Sequence, residues 1–327
     1  MIPISKAEKP VVLVCEPTNK EPYKEIQDLV EVRFGKTQSK YEPEELYEAI
    51  RDAAAVVITS RDNIDRAVME HAPKLKLIAK GGAIPSPLKV DREAATEKGI
   101  YITWTPGTTT VSVAEHALAL ILAMMKRIPQ VMEDLKGGMW RNEMVKNVEL
   151  TGKTVGIIGM GRIGRKLAEL LAPFECRLYY TDPFIHGDVG QAKEADLDFV
   201  IETCDVISIH SELNERTRHM FGEVQFRRMK KTAYILNTSR GGIIEEDALY
   251  RALKEGWIAG AALDVFETEP LRSSPLFELP NLLVSCHMAG WTQESVDRSC
   301  YGSVRNIARV IRGEIPVDLV NPEVIKK

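Results

Sequence analysis

The chain has 327 residues, more than one ordinary hydrophobic core organises, so two domains are expected. It is 44% hydrophobic and 28% charged with a formal net charge of −4, the balance of a globular protein without the basic excess of a nucleic-acid binder. Its longest strongly apolar run, residues 117–125, falls far short of the ~20 residues that span a bilayer, and no signal-peptide pattern opens the chain, so a cytoplasmic protein with no membrane partner is expected.

The first hundred residues alternate short apolar runs with amphipathic stretches. Strands are expected over 11–15, 30–34, 55–59, 75–79 and 101–104, with helices from about residue 23 and over 43–51, 65–71 and 91–98. That alternation predicts a parallel α/β sheet of about five strands. Ser112 and Glu115 read as a capping box that opens a long apolar helix to about residue 127, followed by a less regular stretch over 128–147. A strand begins at Thr154, and further strand and helix units are expected over 206–210, 223–229, 233–237, 245–255, 259–265 and 282–285. A last helix over 293–312 returns to the first domain. Five scattered cysteines, Cys15, Cys176, Cys204, Cys286 and Cys300, form no CxxC pair, and most read as small core residues, with no metal site or disulfide framework.

Residues 154–182 carry the strongest local signal. An apolar strand runs into Gly159-Met160-Gly161-Arg162-Ile163-Gly164, then an amphipathic helix, then a second strand ending at Asp182, 18 residues beyond Gly164. Gly159 permits a tight turn, Gly161 lets the backbone approach a pyrophosphate, and Gly164 lets the helix pack on its strand. The helix that starts near Arg162 offers free N–H groups and the positive end of its dipole to phosphates. A carboxylate at Asp182 accepts hydrogen bonds from ribose hydroxyls and repels a 2′-phosphate, which selects NAD over NADP.

Three ionisable residues follow, each just beyond an apolar strand: Arg240 after Ile-Leu-Asn-Thr-Ser, Glu269 after Leu-Asp-Val-Phe-Glu-Thr, and His287 after Leu-Leu-Val-Ser-Cys. In a parallel sheet these positions fall on the carboxyl edge, the same edge as the glycine turn. Glu267 is a nearby competitor for the role of Glu269.

The glycine turn with Asp182, the run Asn237-Thr238-Ser239-Arg240-Gly241-Gly242, the run Leu263-Asp264-Val265-Phe266-Glu267-Thr268-Glu269-Pro270 and the run His287-Met288-Ala289-Gly290 occur in this order. Together they resemble the D-isomer-specific 2-hydroxyacid dehydrogenases over essentially the full length. The resemblance implies an α/β protein of two parallel-sheet domains. A Rossmann NAD-binding domain over 105–293 is inserted in a flavodoxin-like substrate domain made of 1–104 and 294–327. It also implies that Arg240 holds the carboxylate and carbonyl oxygen of a small 2-oxo or 2-hydroxy acid, that His287 is the general acid/base, and that Glu269 orients its ring. Arg162, Ile163, Ser211, Thr238 and Ser239 are placed around the cofactor by the same resemblance, and Asp264 beside the nicotinamide carboxamide. The segment from Val113 to Trp140 resembles the arm through which relatives form homodimers.

The pattern departs from the family in places. The loop that offers backbone N–H groups to the substrate carboxylate reads Lys80-Gly81-Gly82-Ala83-Ile84-Pro85-Ser86-Pro87-Leu88, where Gly81, Gly82 and Ala83 keep donors and the two prolines do not. Lys80 reads either as a charge for a second anionic group or as a solvated lysine at a strand end. Cys286 stands where proline is common and reads as a buried thiol, and Trp291 as a wall of the acyl pocket or an interdomain contact. Two alternatives share the scaffold: an NAD(H)-sensing regulator, and a dehydrogenase of another small anion such as phosphite. Glu269 argues against formate oxidation, where an amide stands in its place.

Overall fold

A computed structural model describes residues 8–36, 41–59, 61–82 and 89–326. The chain divides into two compact units, residues 1–109 with 292–327, and residues 110–291.

In the first unit the strands are β1 (Val11–Val14), β2 (Glu31–Phe34), β3 (Ala53–Ile58), β4 (Leu77–Lys80) and β5 (Tyr101–Thr103). Helices α1 (Pro43–Ile50), α2 (Arg66–Glu70) and α3 (Arg92–Glu97) connect them. Every pairing is parallel and the order is β2-β1-β3-β4-β5, the flavodoxin-like arrangement. β1, β3 and β4 are nearly continuous runs of buried apolar residues because helices cover both sheet faces.

The second unit starts with helices α4 (Thr110–Met125) and α5 (Ile128–Lys136). It continues through β6 (Thr154–Ile158), α6 (Arg162–Leu171), β7 (Arg177–Thr181), β8 (Ala192–Glu194), α7 (Leu197–Thr203), β9 (Val206–Ile209) and α8 (Glu223–Arg228). It closes with β10 (Tyr234–Asn237), α9 (Glu246–Lys254), β11 (Gly260–Leu263) and β12 (Leu282–Val284). Seven parallel strands lie in the order β12-β11-β10-β9-β6-β7-β8, so the order reverses at β6 beside β9. α4 packs on α6 through Ala114, Ala117, Ile121, Leu167 and Leu171. The final helix, α10 (Gln293–Ile311), belongs to the first unit and buries Val304, Ile307 and Val310 against Val12, Val14, Leu77 and Ala79.

Several expectations change. The helix expected after β1 is a short one of the 3-10 type, Glu21–Ile26. α4 begins at Thr110, so Ser112 lies inside the helix and is not its cap. The stretch expected to be irregular contains α5, which Pro129 starts and a left-handed Arg127 (φ 48°) separates from α4. None of its residues is buried, so its apolar positions lack the local partners that mark a core helix. β8 and α7 are additions to the expected elements; Asp196 caps α7 by accepting from Phe199 N–H. Among the cysteines, Cys15, Cys204 and Cys300 are buried, whereas Cys286 is exposed.

Candidate active site

The sheet of the second unit places the glycine turn at the point where strand order reverses, between β6 and β9. Gly159 has φ 94°, and a Cβ there would lie 2.8 Å from the carbonyl group of His210. No other residue fits. A Cβ on Gly164 would collide with the Gly159 oxygen, which explains the close seat of α6 on its strand. Gly161 is different: among the described residues, nothing beyond its chain neighbours lies within 4 Å of an added Cβ. The fold itself does not require that glycine, so the open space over it suits an approaching ligand. Gly161 caps the ten-residue α6 without any side-chain hydrogen bond, leaving first-turn N–H groups for an anion. Arg162 is exposed there and Ile163 is half-buried.

Asp182 follows β7 and ties two turns together. Its Oδ2 accepts from Met160 N–H at 2.8 Å, inside the glycine turn. Its Oδ1 accepts from Phe184 N–H and Ile185 N–H at 2.9 and 3.2 Å. The acid therefore shapes the loop it would share with a ribose.

Beyond β9 and β10 lie Ser211 and Thr238, whose buried Oγ and Oγ1 atoms have no hydrogen-bond partner among the described residues, like Nδ1 of neighbouring His210. Buried hydroxyls are normally satisfied, so these mark places for a polar ligand. Together with the open turn at Gly161 they fit a dinucleotide. Ser239 instead donates both its N–H and its hydroxyl to Asn237 Oδ1, at 3.0 and 2.8 Å. Asn237 Nδ2 donates to the Arg240 carbonyl at 2.9 Å, which fixes the loop that carries the guanidinium.

Arg240, Glu269 and His287 line one pocket of about 270 Å³, with Leu213, Arg218, Gly241, Gly242, Phe266 and Glu267. His287 Nδ1 lies 2.7 Å from Glu269 Oε2, and Phe266 N–H donates to Oε1 at 3.0 Å. A carboxylate only accepts, so Nδ1 carries the hydrogen and Nε2 is left for chemistry. The Glu269 hydrogen bond raises the His287 pKa above its ordinary 6.5, against partial burial; the Glu269 and Asp264 charges add to the rise and Arg240 opposes it. Burial works against ionisation of Glu269, but the bonds from His287 and Phe266 prevail and its pKa lies below the usual value. Glu267 is engaged elsewhere: its Oε1 accepts from Glu246 N–H at 3.0 Å and lies 3.3 Å from His219 Nε2. The His287 side chain is 55% exposed.

In the first unit Gly82 (φ 77°) already donates its N–H to Thr105 Oγ1 at 2.6 Å, so that donor is occupied. A Cβ on Gly81 would lie 2.7 Å from Ser299 Oγ. Ala83, with 84–88, lies outside the described residues. Lys80 is not a solvated lysine: it is 6% exposed, its Nζ donates to the Gly81 carbonyl at 2.9 Å, and burial lowers its pKa to about 8 despite the Asp62 charge.

Residues 118–289 match the profile described as D-isomer specific 2-hydroxyacid dehydrogenase, NAD binding domain. A glyoxylate reductase of Thermofilum pendens is 41% identical over 292 residues, 86% of each chain. The chain belongs to the D-isomer-specific 2-hydroxyacid dehydrogenase family. A D-3-phosphoglycerate dehydrogenase of Methanocaldococcus jannaschii is 39% identical over 314 residues; the match takes in 95% of this chain and 59% of that longer protein. A crystal structure of a protein from Thermus thermophilus superposes with a TM-score of 0.86 at 31% identity, covering 95% of this chain and 99% of that one. A glyoxylate reductase from Paecilomyes thermophila gives 0.81 at 27% identity, with 96% and 99% covered.

Within this 2-hydroxyacid dehydrogenase, His287 and its neighbours do not form an extended strand. His287 has φ 57°, and Cys286 beside it is exposed rather than the buried thiol expected. Trp291 is exposed as well. Asp264 is fully buried and accepts from Met288 N–H and Ala289 N–H at 2.8 and 2.9 Å, so it does hold a turn, the one that follows His287. Sequence reasoning missed Arg218 and Phe266 in the pocket and the pairing of Ser285 with His116. Phe266 stands within a quoted motif, whereas nothing local marks His116.

Proposed function

We propose that the protein is an NAD-dependent D-2-hydroxyacid dehydrogenase that reduces small 2-oxo acids such as glyoxylate and oxidises the corresponding (D)-2-hydroxy acids. The supporting observation is the 2.7 Å contact of His287 Nδ1 with Glu269 in the pocket that Arg240 lines. The guanidinium gives one N–H to the Ser239 carbonyl at 2.7 Å and keeps others for a carboxylate and its adjacent carbonyl oxygen. His287 Nε2 delivers a proton to that oxygen, and Glu269 stabilises the imidazolium beforehand. Bound nicotinamide supplies the hydride. The Gly159–Gly164 turn, Ser211, Thr238 and Asp264 hold the dinucleotide, and Asp182 disfavours a 2′-phosphate. Residues 110–291 serve as the NAD-binding domain.

We further read the protein as a cytoplasmic homodimer. Ile128, Met132 and Leu135 share one face of α5 and are exposed, with Trp140 and Val145 beyond them. The same surface of a second copy would cover them. Five free cysteines, one exposed, agree with a reducing compartment.

The test is NADH consumption over a panel of 2-oxo acids, with NADH formation from phosphite and formate as controls. Turnover of small 2-oxo acids is expected, falling by about 100-fold or more in His287→Ala. A His287→Ala enzyme as active as the parent would overturn the assignment.

A further inference from the structure

The turn that presents His287 depends on a buried acid. His287 sits in the left-handed region, costly for a residue with a side chain, and the turn is clamped to Asp264. His287 N–H donates to the Asp264 carbonyl at 2.8 Å, and the Asp264 carboxylate takes the next two N–H groups. A third donor reaches that carboxylate: Ser285 Oγ, 2.6 Å from Oδ1. His116 Nε2, on α4, lies 3.0 Å from Ser285 Oγ and 3.8 Å from Asp264 Oδ1. An ionised carboxylate cannot donate, so the Ser285 proton points to Asp264, and the Ser285 oxygen must accept from His116. His116 therefore carries hydrogen on Nε2.

We propose that His116 is a positioning residue for the reaction: its Nε2–H orients the Ser285 hydroxyl, which locks the Asp264 carboxylate and so the turn that aims His287. The proposal rests on the reading of His287 as the acid/base. Without the His116 N–H, the serine hydroxyl is free to rotate away. Oδ1 then loses a donor, and the carboxylate relaxes against Met288 and Ala289. A general acid works only within hydrogen-bond reach, so a small shift of His287 slows proton delivery. Arg240 sits on a separate loop held by Asn237, so substrate anchoring is untouched.

Kinetics of His116→Leu, His116→Gln, Ser285→Ala and the His116→Leu/Ser285→Ala double variant test this. His116→Leu should lower kcat about tenfold with the KM for the oxo acid unchanged, whereas His116→Gln, which keeps an N–H donor, should stay within about threefold of the parent. The double variant should lose no more than Ser285→Ala alone, because both act through one chain of hydrogen bonds. Parental kcat in His116→Leu, losses that multiply in the double variant, or a glutamine variant as impaired as leucine would overturn the proposal. A merely packing role would lower the Tm and leave the glutamine variant no better than leucine. Should the leucine variant not fold, the tautomer of His116 in the parent, read from long-range 1H–15N correlations, decides: hydrogen on Nε2 supports the relay, and hydrogen on Nδ1 alone refutes it. A parent that turns over no 2-oxo acid would sink the functional reading instead, while the tautomer still reports on the relay.

Discussion

Gly241→Ala is a one-carbon perturbation with a large expected effect. A Cβ at residue 241 would lie 2.5 Å from Glu267 N and closer still to the Phe266 carbonyl, where ordinary contact begins near 3.4 Å. Both obstacles are backbone, so no side chain can swing aside. The loop that carries Arg240 and the segment that leads to Glu269 must then separate by about 1 Å or more, since non-bonded carbon atoms are stable only near 3.5–4.0 Å. Misplacing reacting groups by about 1 Å costs roughly 100-fold in rate, and that is the loss expected in kcat/KM for 2-oxo acid reduction. The glycine turn lies on the other side of β9 and only Thr238 and Asp264 of the proposed dinucleotide contacts adjoin the displaced segments, so NADH affinity, read by quenching of protein fluorescence, should fall less than kcat/KM, by under about tenfold, or 1.4 kcal/mol. Crystal structures of the variant should show the Arg240 loop displaced from Phe266. A Gly241→Ala enzyme with parental kcat/KM would show that close approach of these loops is not needed for catalysis, and the assignment of Arg240 and Glu269 to one site would fail.

Glu269→Gln keeps an oxygen that can accept from Nδ1 but removes the carboxylate charge that favours the imidazolium, so His287 should lose its proton at lower pH. The alkaline limb of 2-oxo acid reduction, which needs imidazolium, should move to lower pH, and the acid limb of hydroxy-acid oxidation should move the same way; unchanged limbs in pH–rate profiles would refute the pairing. Asp182→Ala removes the acceptor shared by Met160, Phe184 and Ile185, and should weaken NADH binding by about tenfold or more while narrowing the preference over NADPH, measured by titration. Met132→Asp with Leu135→Asp places charge on the uncovered face of α5, and light scattering should then report a mass near the 36.6 kDa of one chain; a parent already at that mass would refute the dimer.

Local chemistry makes much of the protein legible. The glycine turn can be read because its three glycines stand at fixed spacing between an apolar strand and a helix, and Asp182 because strand and helix lengths set its distance. Buried parallel strands announce themselves as apolar runs, so both sheets follow from alternation, and strand ends locate Arg240, Glu269 and His287 before any contact is known. Short elements give a weaker signal: β8 has three residues with one apolar side chain, and α7 has only seven, too few to show a helical period. α5 does carry apolar residues at helical spacing, but Pro129 and the glycines after it obscure the period, and none of its residues is buried.

The chain's own order of residues therefore determined the two-sheet architecture, the dinucleotide turn and the carboxyl-edge placement of the ionisable groups, because these depend on periodicity and on backbone conformations that single residues impose. Tertiary structure decided which of two glutamates meets His287, that Lys80 is buried and Cys286 exposed, and that His116 reaches Asp264 through Ser285. Those outcomes depend on how separate segments pack at the strand ends; His116 and Ser285, for example, stand 169 positions apart. There the geometry of the folded sheet chooses hydrogen-bond partners and sets exposure, and spacing along the chain carries no record of either.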